Sequence, residues 1–592
     1  MTVRMPPLQR TIAISVISML ALLGPATDAA VSQEPGFEYG YVVLIPAGDL
    51  DGDGSEDAIE HLGLSTDTSE VTRLSGVRGS DGTTLWSMDF DGYVEPYPVE
   101  NLDGSAGTDV IVLRWSFQPN PAGELATTTL TAVRGEDGEQ VWTREYTGFA
   151  TWVGVGSSGG SVQLGHAYPR RVAEDMNGDG AGDLLISRSA SGYLYEGGTG
   201  TFRESANAIF EVVSGRTGEL ISAIPVVGIQ GYPDADVIPD VTGDGLADVL
   251  TMSVSFDPAA APSQGGTASL SAYPGTGGLP VWQTQVEVLS PPYLQTADLD
   301  GDGGGDALLV SNSFDESGAT SSRFDAISGN DGSSMWQLEF DGYADAIVAG
   351  DATDDAGQDL LAFVGLGGSE GEEPGALLVR GSDGETVWAR SSPDIASSYP
   401  ASDATGDGVL DLLSTGPRST RPAPEPLVDA PGGGEARTAK AKLETPSGGR
   451  RNLVRIFDGA NGKRVWTRVV DRRAYVLTIG GDLDGDGADD LAVIQQRRAS
   501  VSYFPISGKT GRGLWGRAIS VKGYINQISA ATLRGGPRGD VLESGSGSKG
   551  ELLFAAARSG SSGARLWERT VKLTPDEAIS PSEAGGRRSA RH

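Results

Sequence analysis

The chain of 592 residues has no cysteine, which excludes disulfides, thiol catalysis, zinc–thiolate sites and a lipid-modified cysteine anchor. Histidine is almost as scarce. His61, His166 and His592 are the only three, so acid–base or triad chemistry built on imidazole has little to work with. No basic stripe stands out against a net charge of −36, which argues against nucleic-acid binding. Long apolar runs are missing too. Thr11 to Leu23 is the longest stretch of that kind and is too short to span a bilayer comfortably. With Arg4 and Arg10 ahead of it and small residues through Ala29 and Ala30 behind, it reads as a cleavable signal, residues 1–30. The expected location is therefore extracellular, free or at the cell surface, with no membrane span after cleavage. Long helical periodicity is absent, and strand signals dominate.

What the chain does have is an acidic loop, D-x-[DNT]-x-D-x-x-x-D and close variants, repeated eight times ahead of an apolar run. Positions 1, 3, 5 and 9 are Asp49, Asp51, Asp53 and Asp57 in the first loop, and Asn101, Asp103, Ser105 and Asp109 in the second. The third has Asp175, Asn177, Asp179 and Asp183; the fourth has Asp240, Thr242, Asp244 and Asp248. The fifth has Asp298, Asp300, Asp302 and Asp306, and the sixth Asp351, Thr353, Asp355 and Asp359. Asp403, Thr405, Asp407 and Asp411 make the seventh, and Asp482, Asp484, Asp486 and Asp490 the eighth. Frequent glycine at positions 4 and 6 permits a tight coil that converges these oxygens on one point. A carbonyl at position 7 and a water would complete the six or more oxygens that Ca²⁺ accepts.

An EF-hand would need a carboxylate at position 12. Only the first loop offers one, Glu60; the others have Val112, Ile186, Thr251, Leu309, Ala362, Ser414 and Val493. Runs such as Asp183-Leu-Leu-Ile-Ser are short and partly β-branched, and read as buried strands rather than exiting helices. Glu60 is read as a coincidence. The loops hold 26 of the 80 acidic residues at their ligand positions. Eight bound Ca²⁺ would bring the charge to about −20, an ordinary value for solubility at this size. Bound calcium would also rigidify a secreted chain that has no disulfide.

A second motif, G-x-D-G-x-x-[LVM]-W, alternates with the first. It is clearest at Gly79–Trp86, Gly135–Trp142 and Gly381–Trp388, with looser copies ending at Ile221, Trp282, Trp336, Trp466, Trp515 and Trp567. Eight of the ten tryptophans lie in it, and each is expected to pack between neighbouring units. The two motifs together count nine units; in the ninth the acidic loop has decayed to Thr532–Asp540 and is expected to bind nothing. The basic period of roughly fifty residues suits a four-stranded antiparallel sheet, and points to a propeller or solenoid. A closed ring would also remove exposed strand edges. The expected fold is all-β, a propeller of seven to nine blades over residues 37–575. Residues 151–171 and 416–451 are insertions, the second read as a disordered surface loop, and residues 576–592 read as a disordered tail.

The acidic loops and their spacing resemble the FG-GAP and VCBS-type repeats of integrin-α-like β-propellers. That resemblance implies Ca²⁺, about eight ions, as the cofactor. The Gly-Asp-Gly-Trp element resembles the tryptophan-docking motif of pyrroloquinoline-quinone dehydrogenase propellers, whose usual vicinal cysteine pair this chain lacks. The reading favoured is a monomeric, calcium-stabilised scaffold for binding or adhesion, with an extracellular protein or glycan as partner and no catalytic residues. The alternative is a carbohydrate-binding or polysaccharide-degrading propeller, since carboxylate-only chemistry is open to so acidic a chain, and ranked below it is a quinone-dependent dehydrogenase of the kind the second motif resembles. His61, beyond the first loop, reads as a surface or strand-end residue. His166 lies in an insertion, where binding groups are often placed.

Overall fold

The computed structural model describes residues 31–35, 39–66, 69–105, 107–120, 123–147, 150–153, 174–189, 193–195, 202–204, 207–227, 233–256, 265–314, 320–365, 375–391, 398–417, 451–497, 500–547 and 552–574. The signal, His166, most of both insertions and the tail fall outside them. Among the described residues there is no helix. The strands form nine four-stranded antiparallel sheets at residues 39–91, 94–147, 150–227, 234–288, 293–341, 344–391, 398–471, 474–521 and 524–574. These are the blades, numbered one to nine. Strand order in each sheet follows chain order, so each blade is an antiparallel meander. Blade three also has a small hairpin, Tyr193–Tyr195 with Phe202–Glu204.

The first strand of every blade lies innermost. Thr296 in the first strand of blade five donates to Asp236 and to the Val237 carbonyl in that of blade four. Gln295 reaches the Ala346 carbonyl of blade six, and the Tyr399 hydroxyl of blade seven reaches the Val476 carbonyl of blade eight. The second strand is sandwiched on both faces, which explains its continuous apolar run. In Asp57–Ser65 every residue but the last is buried. The fourth strand is outermost, and Thr84–Asp91 carries exposed residues between less exposed ones along its length.

The hydrophobic core is divided into nine clusters, one for each pair of adjacent blades. One of them joins blade nine to blade one, for example Leu553 and Val571 with Val42 and Leu62, so the ring is closed. Strand Val31–Pro35 runs parallel to the outer strand of blade nine, Arg565–Thr574, as a fifth strand on that sheet. It begins ahead of the boundary expected at residue 37. The nine units counted in the sequence are thus nine blades, and the tryptophans occupy the interfaces as expected.

Candidate cation loops and the inter-blade lock

The acidic loops connect the first and second strands, and the tryptophan motif connects the third and fourth, so both lie at the same end of each blade. In all seven loops that begin with aspartate, that carboxylate accepts the N–H of position 6 at 2.7–3.1 Å. The Oδ1 of position 5 accepts the N–H of position 7. This coil drives position 6 into the left-handed region. Glycine occupies that position in six of these loops, and Ala356, at φ +75°, does so in the sixth loop.

Position 9 does more than the sequence reading gave it. Asp57, Asp109, Asp183, Asp248, Asp306, Asp359, Asp411 and Asp490 are at most 2% exposed. In each, Oδ1 accepts the N–H of the first glycine of the tryptophan motif, at 2.9–3.2 Å. In every loop but the seventh, Oδ2 accepts the N–H of position 2, at 2.8–3.0 Å. Burial pushes these carboxyls up, to about 6 for Asp57 and Asp306 and to about 7 for Asp183, Asp411 and Asp490; the nearby loop carboxylates add to the effect and the backbone donors oppose it.

The same glycine is held from its other side by the preceding blade. Trp86 Nε1 donates to the Gly135 carbonyl, Trp142 to Gly215, Trp282 to Gly329 and Trp336 to Gly381. Trp388 donates to Gly459, Trp466 to Gly508, Trp515 to Gly560, and Trp567 closes the ring on Gly79. These distances are 2.5–3.0 Å. In six blades a bulge sits at the residue before the Trp, such as Leu85 between Thr84 and Trp86, and turns the indole toward the neighbour. A Cβ on Gly79 would sit 2.0 Å from the Glu56 carbonyl oxygen, so only glycine fits there. In blade three the position belongs to Ser222 rather than Ile221; its hydroxyl reaches the Gly275 carbonyl at 3.0 Å. Every docking peptide is therefore tied to its own acidic loop through N–H and to the adjacent blade through C=O.

The loops are also chained to one another. The position-1 carbonyls of Asp49, Asn101, Asp175, Asp298, Asp403 and Asp482 accept the N–H of position 8 in the next loop: Thr108, Gly182, Ala247, Gln358, Asp489 and Gly539. Thr532 returns the same bond to Glu56 of blade one.

Whether these residues suit a cation is a question of donors. Three loops bring three carboxylate oxygens within 4.8 Å of one another: Asp49, Asp51 and Asp53; Asp298, Asp300 and Asp302; and Asp482, Asp484 and Asp490. These are the loops with four carboxylates. Two buried oxygens at ligand positions have no hydrogen-bond partner, Asn101 Oδ1 and Asp411 Oδ2. An all-oxygen, mainly anionic donor set of this kind fits a hard divalent cation. Other ligand positions are less free. Asn177 Nδ2 donates to Asp183, and the hydroxyls of Thr242 and Thr405 lean on Asp240 and Asp403. Arg78 bonds Asp51, and Arg134 bonds Asp103 at 2.8 Å. In the decayed ninth loop Arg534 holds Asp540 with two bonds, while Asp540 still accepts the Gly560 N–H.

One expectation changes. His61 is not a surface residue: it is 6% exposed in the middle of a strand, receives or donates a hydrogen bond with the Tyr41 hydroxyl at 3.0 Å, and burial lowers its pKa to about 4. Its partners are aromatic neighbours in space, which the linear pattern does not show. Glu60 is buried and pairs with Arg569 of blade nine at 2.9 Å. It belongs to the ring seam.

No family model matches the chain, and no curated protein matches it. The resemblance to FG-GAP and VCBS repeats therefore rests on the loops themselves. Among solved structures the chain is similar to the exotype rhamnogalacturonan lyase YesX, with a TM-score of 0.41 and 11% identity over 87% of this chain and 90% of that one. It is also similar to a europium-containing methanol dehydrogenase, with a TM-score of 0.31 and 12% identity over 75% and 81%. The Dos1 propeller gives a TM-score of 0.32 and 8% identity over 84% and 97%. At such identities the likeness concerns fold, and it gives no activity to this chain.

Proposed function

We propose that this chain is a secreted, calcium-stabilised β-propeller that acts as a non-catalytic extracellular binding scaffold. The observation that carries the reading is the shared glycine. An acidic loop that organises around a cation also fixes its position-9 aspartate, and that aspartate holds the peptide on which the neighbouring tryptophan docks. Cation binding is thereby coupled to the bonds between blades, which is the role expected of a structural ion. The raised carboxyl of Asp236, on the first strand of blade four, does not favour catalysis: pushed up to about 7 chiefly by burial, it is only 3% exposed and is enclosed by Thr296 and the Val237 backbone.

Calorimetric titration and thermal melting with and without EDTA test the stabilising ion. With free Ca²⁺ at about ten times the dissociation constant, each site contributes roughly 1.4 kcal/mol. An unchanged melting curve after confirmed metal removal overturns this part. A screen of glycans and extracellular proteins, run with and without Ca²⁺, tests the binding role; release of product from a polysaccharide would support the lyase or hydrolase alternative instead.

A further inference from the structure

The net charge of −36 is unevenly spread along the chain. Residues 1–417 hold 15 Lys and Arg against 62 Asp and Glu, whereas residues 418–592 hold 29 against 18. Neutralisation follows the same division. Six arginines of blades one to six are ion-paired, among them Arg73 with Asp89 and Arg323 with Asp325. Around blade eight, Arg472, Arg473, Arg497 and Lys522 are all exposed. Among the described residues none of these four forms an ion pair, and Arg497 reaches only the Gln495 side chain, at 3.5 Å.

The four cations share one end of blade eight, opposite its acidic loop. Ala474 pairs with Gln495, Arg497 with Ser500 and Val501 with Val521. Arg473 therefore leads into the first strand where Arg497 ends the second and Lys522 follows the fourth. With strands about 4.8 Å apart, this row is about 14 Å long. Asp471 is the only acid at this end of blades seven and eight among the described residues, and its carboxylate accepts the Arg473 N–H. The loop acids do not cancel the row. The strand Leu491–Arg497 separates it from Asp490, roughly 20 Å of backbone against a Debye length of about 8 Å at physiological salt. Tyr475, two residues beyond Arg473, is 47% exposed and adds an aromatic surface.

We propose that Arg472, Arg473, Arg497 and Lys522, with Tyr475 beside them, form a docking surface for a linear anionic polysaccharide. This rests on the reading of the chain as an extracellular binding scaffold, and gives that scaffold a ligand class. An anionic membrane fits less well, because a bilayer would meet the whole of this end of the ring. Glu70 and Asp91 of blade one and Asp341 of blade five are exposed there, and like charge opposes the approach. A narrow chain can lie along blades seven and eight alone. A DNA duplex carries a charge about every 1.7 Å of its axis, far denser than this row. A polysaccharide with one carboxylate or sulfate on each sugar or two matches the row better, and its rings offer apolar faces to the tyrosine.

The test is calorimetric titration of the full chain, in Ca²⁺ at physiological salt, with heparin, hyaluronate, neutral dextran, a short DNA duplex, and vesicles of phosphatidylcholine and phosphatidylserine in equal parts. Heparin and hyaluronate bind and dextran does not. Replacing Arg472, Arg473, Arg497 and Lys522 together by Ser raises Kd at least about tenfold, and Tyr475→Ala raises it about threefold. Replacing Lys463, Arg464, Arg512 and Arg517 by Ser removes the same charge at the acidic-loop end, where all four are exposed, and changes Kd less than about twofold. If the first fourfold variant does not fold, Arg497→Ser and Lys522→Ser decide singly, each expected to weaken heparin about threefold. The proposal is overturned by no binding of either anionic polysaccharide, by equal losses in the two fourfold variants, or by tighter binding of the duplex or the vesicles through the same four residues. Each of these leaves the scaffold reading to ligands bound elsewhere. A polysaccharide held through the row and then cleaved overturns the non-catalytic reading instead, and leaves the docking surface standing.

Discussion

Trp567 donates its indole N–H to the Gly79 carbonyl at 2.7 Å, across 488 positions of sequence. This is the ninth of nine equivalent contacts and the one that turns a row of blades into a ring. It is supported by the Arg569 guanidinium, which bonds Glu60 and the Gly82 carbonyl, and by reciprocal bonds between Glu56 and Thr532.

Replacing Trp336 by Ala removes a buried indole and its bond to Gly381. The expected cost is about 3–5 kcal/mol. Replacing Ser222, which makes the corresponding contact with only a hydroxyl, by Ala should cost about 1 kcal/mol. Chemical denaturation of the two variants checks the difference; a Trp336→Ala protein as stable as Ser222→Ala would mean that the indoles are not inter-blade core.

Within one loop, positions 5 and 9 should behave differently. Asp306→Ala strands the Leu299 and Gly329 N–H groups in a buried place, at a cost of about 2–4 kcal/mol with or without Ca²⁺. Asp302 is exposed, and Asp302→Ala should cost about 0.5 kcal/mol or less in chelator but lower the melting temperature in Ca²⁺. Melting both variants in the two conditions gives four numbers; equal losses for Asp302→Ala in chelator and in Ca²⁺ remove position 5 from the ligands.

Ala356 holds φ +75° where the corresponding residues of six other loops are glycine. Ala356→Gly relieves the left-handed strain, partly offset by a more flexible unfolded chain, for a net gain of about 0.5–1 kcal/mol. A lower denaturation midpoint for the glycine variant contradicts this.

Asp236 sets a pH dependence with a definite sign. Burial, with a smaller push from Asp234, raises its carboxyl to about 7 in the folded state, against about 3.9 unfolded. The native protein therefore keeps the proton longer, so this stability is fully present below about pH 4 and is lost as pH rises through about 7. In saturating Ca²⁺, Asp236→Asn should gain melting temperature relative to the parent between pH 5 and pH 8. A constant difference across that interval contradicts the assignment.

The sequence by itself determined the period, the strand class, the eight acidic loops and the tryptophans between blades. Each is a local pattern: the coil of Asp298–Asp306 is built by side chains and N–H groups within nine residues, and the apolar run of a second strand records burial on both faces. The double role of Asp306, the Arg534 guanidinium on Asp540, the burial of His61 and the pairing of Glu60 with Arg569 were decided only by the tertiary structure. Their partners sit in another hairpin or another blade, and no short-range pattern encodes which residue the closed ring will bring opposite. Ser222 shows the same limit. A serine in place of an indole breaks the motif in the sequence, yet its hydroxyl meets the Gly275 carbonyl because the packing of eight other blades fixes where that carbonyl lies.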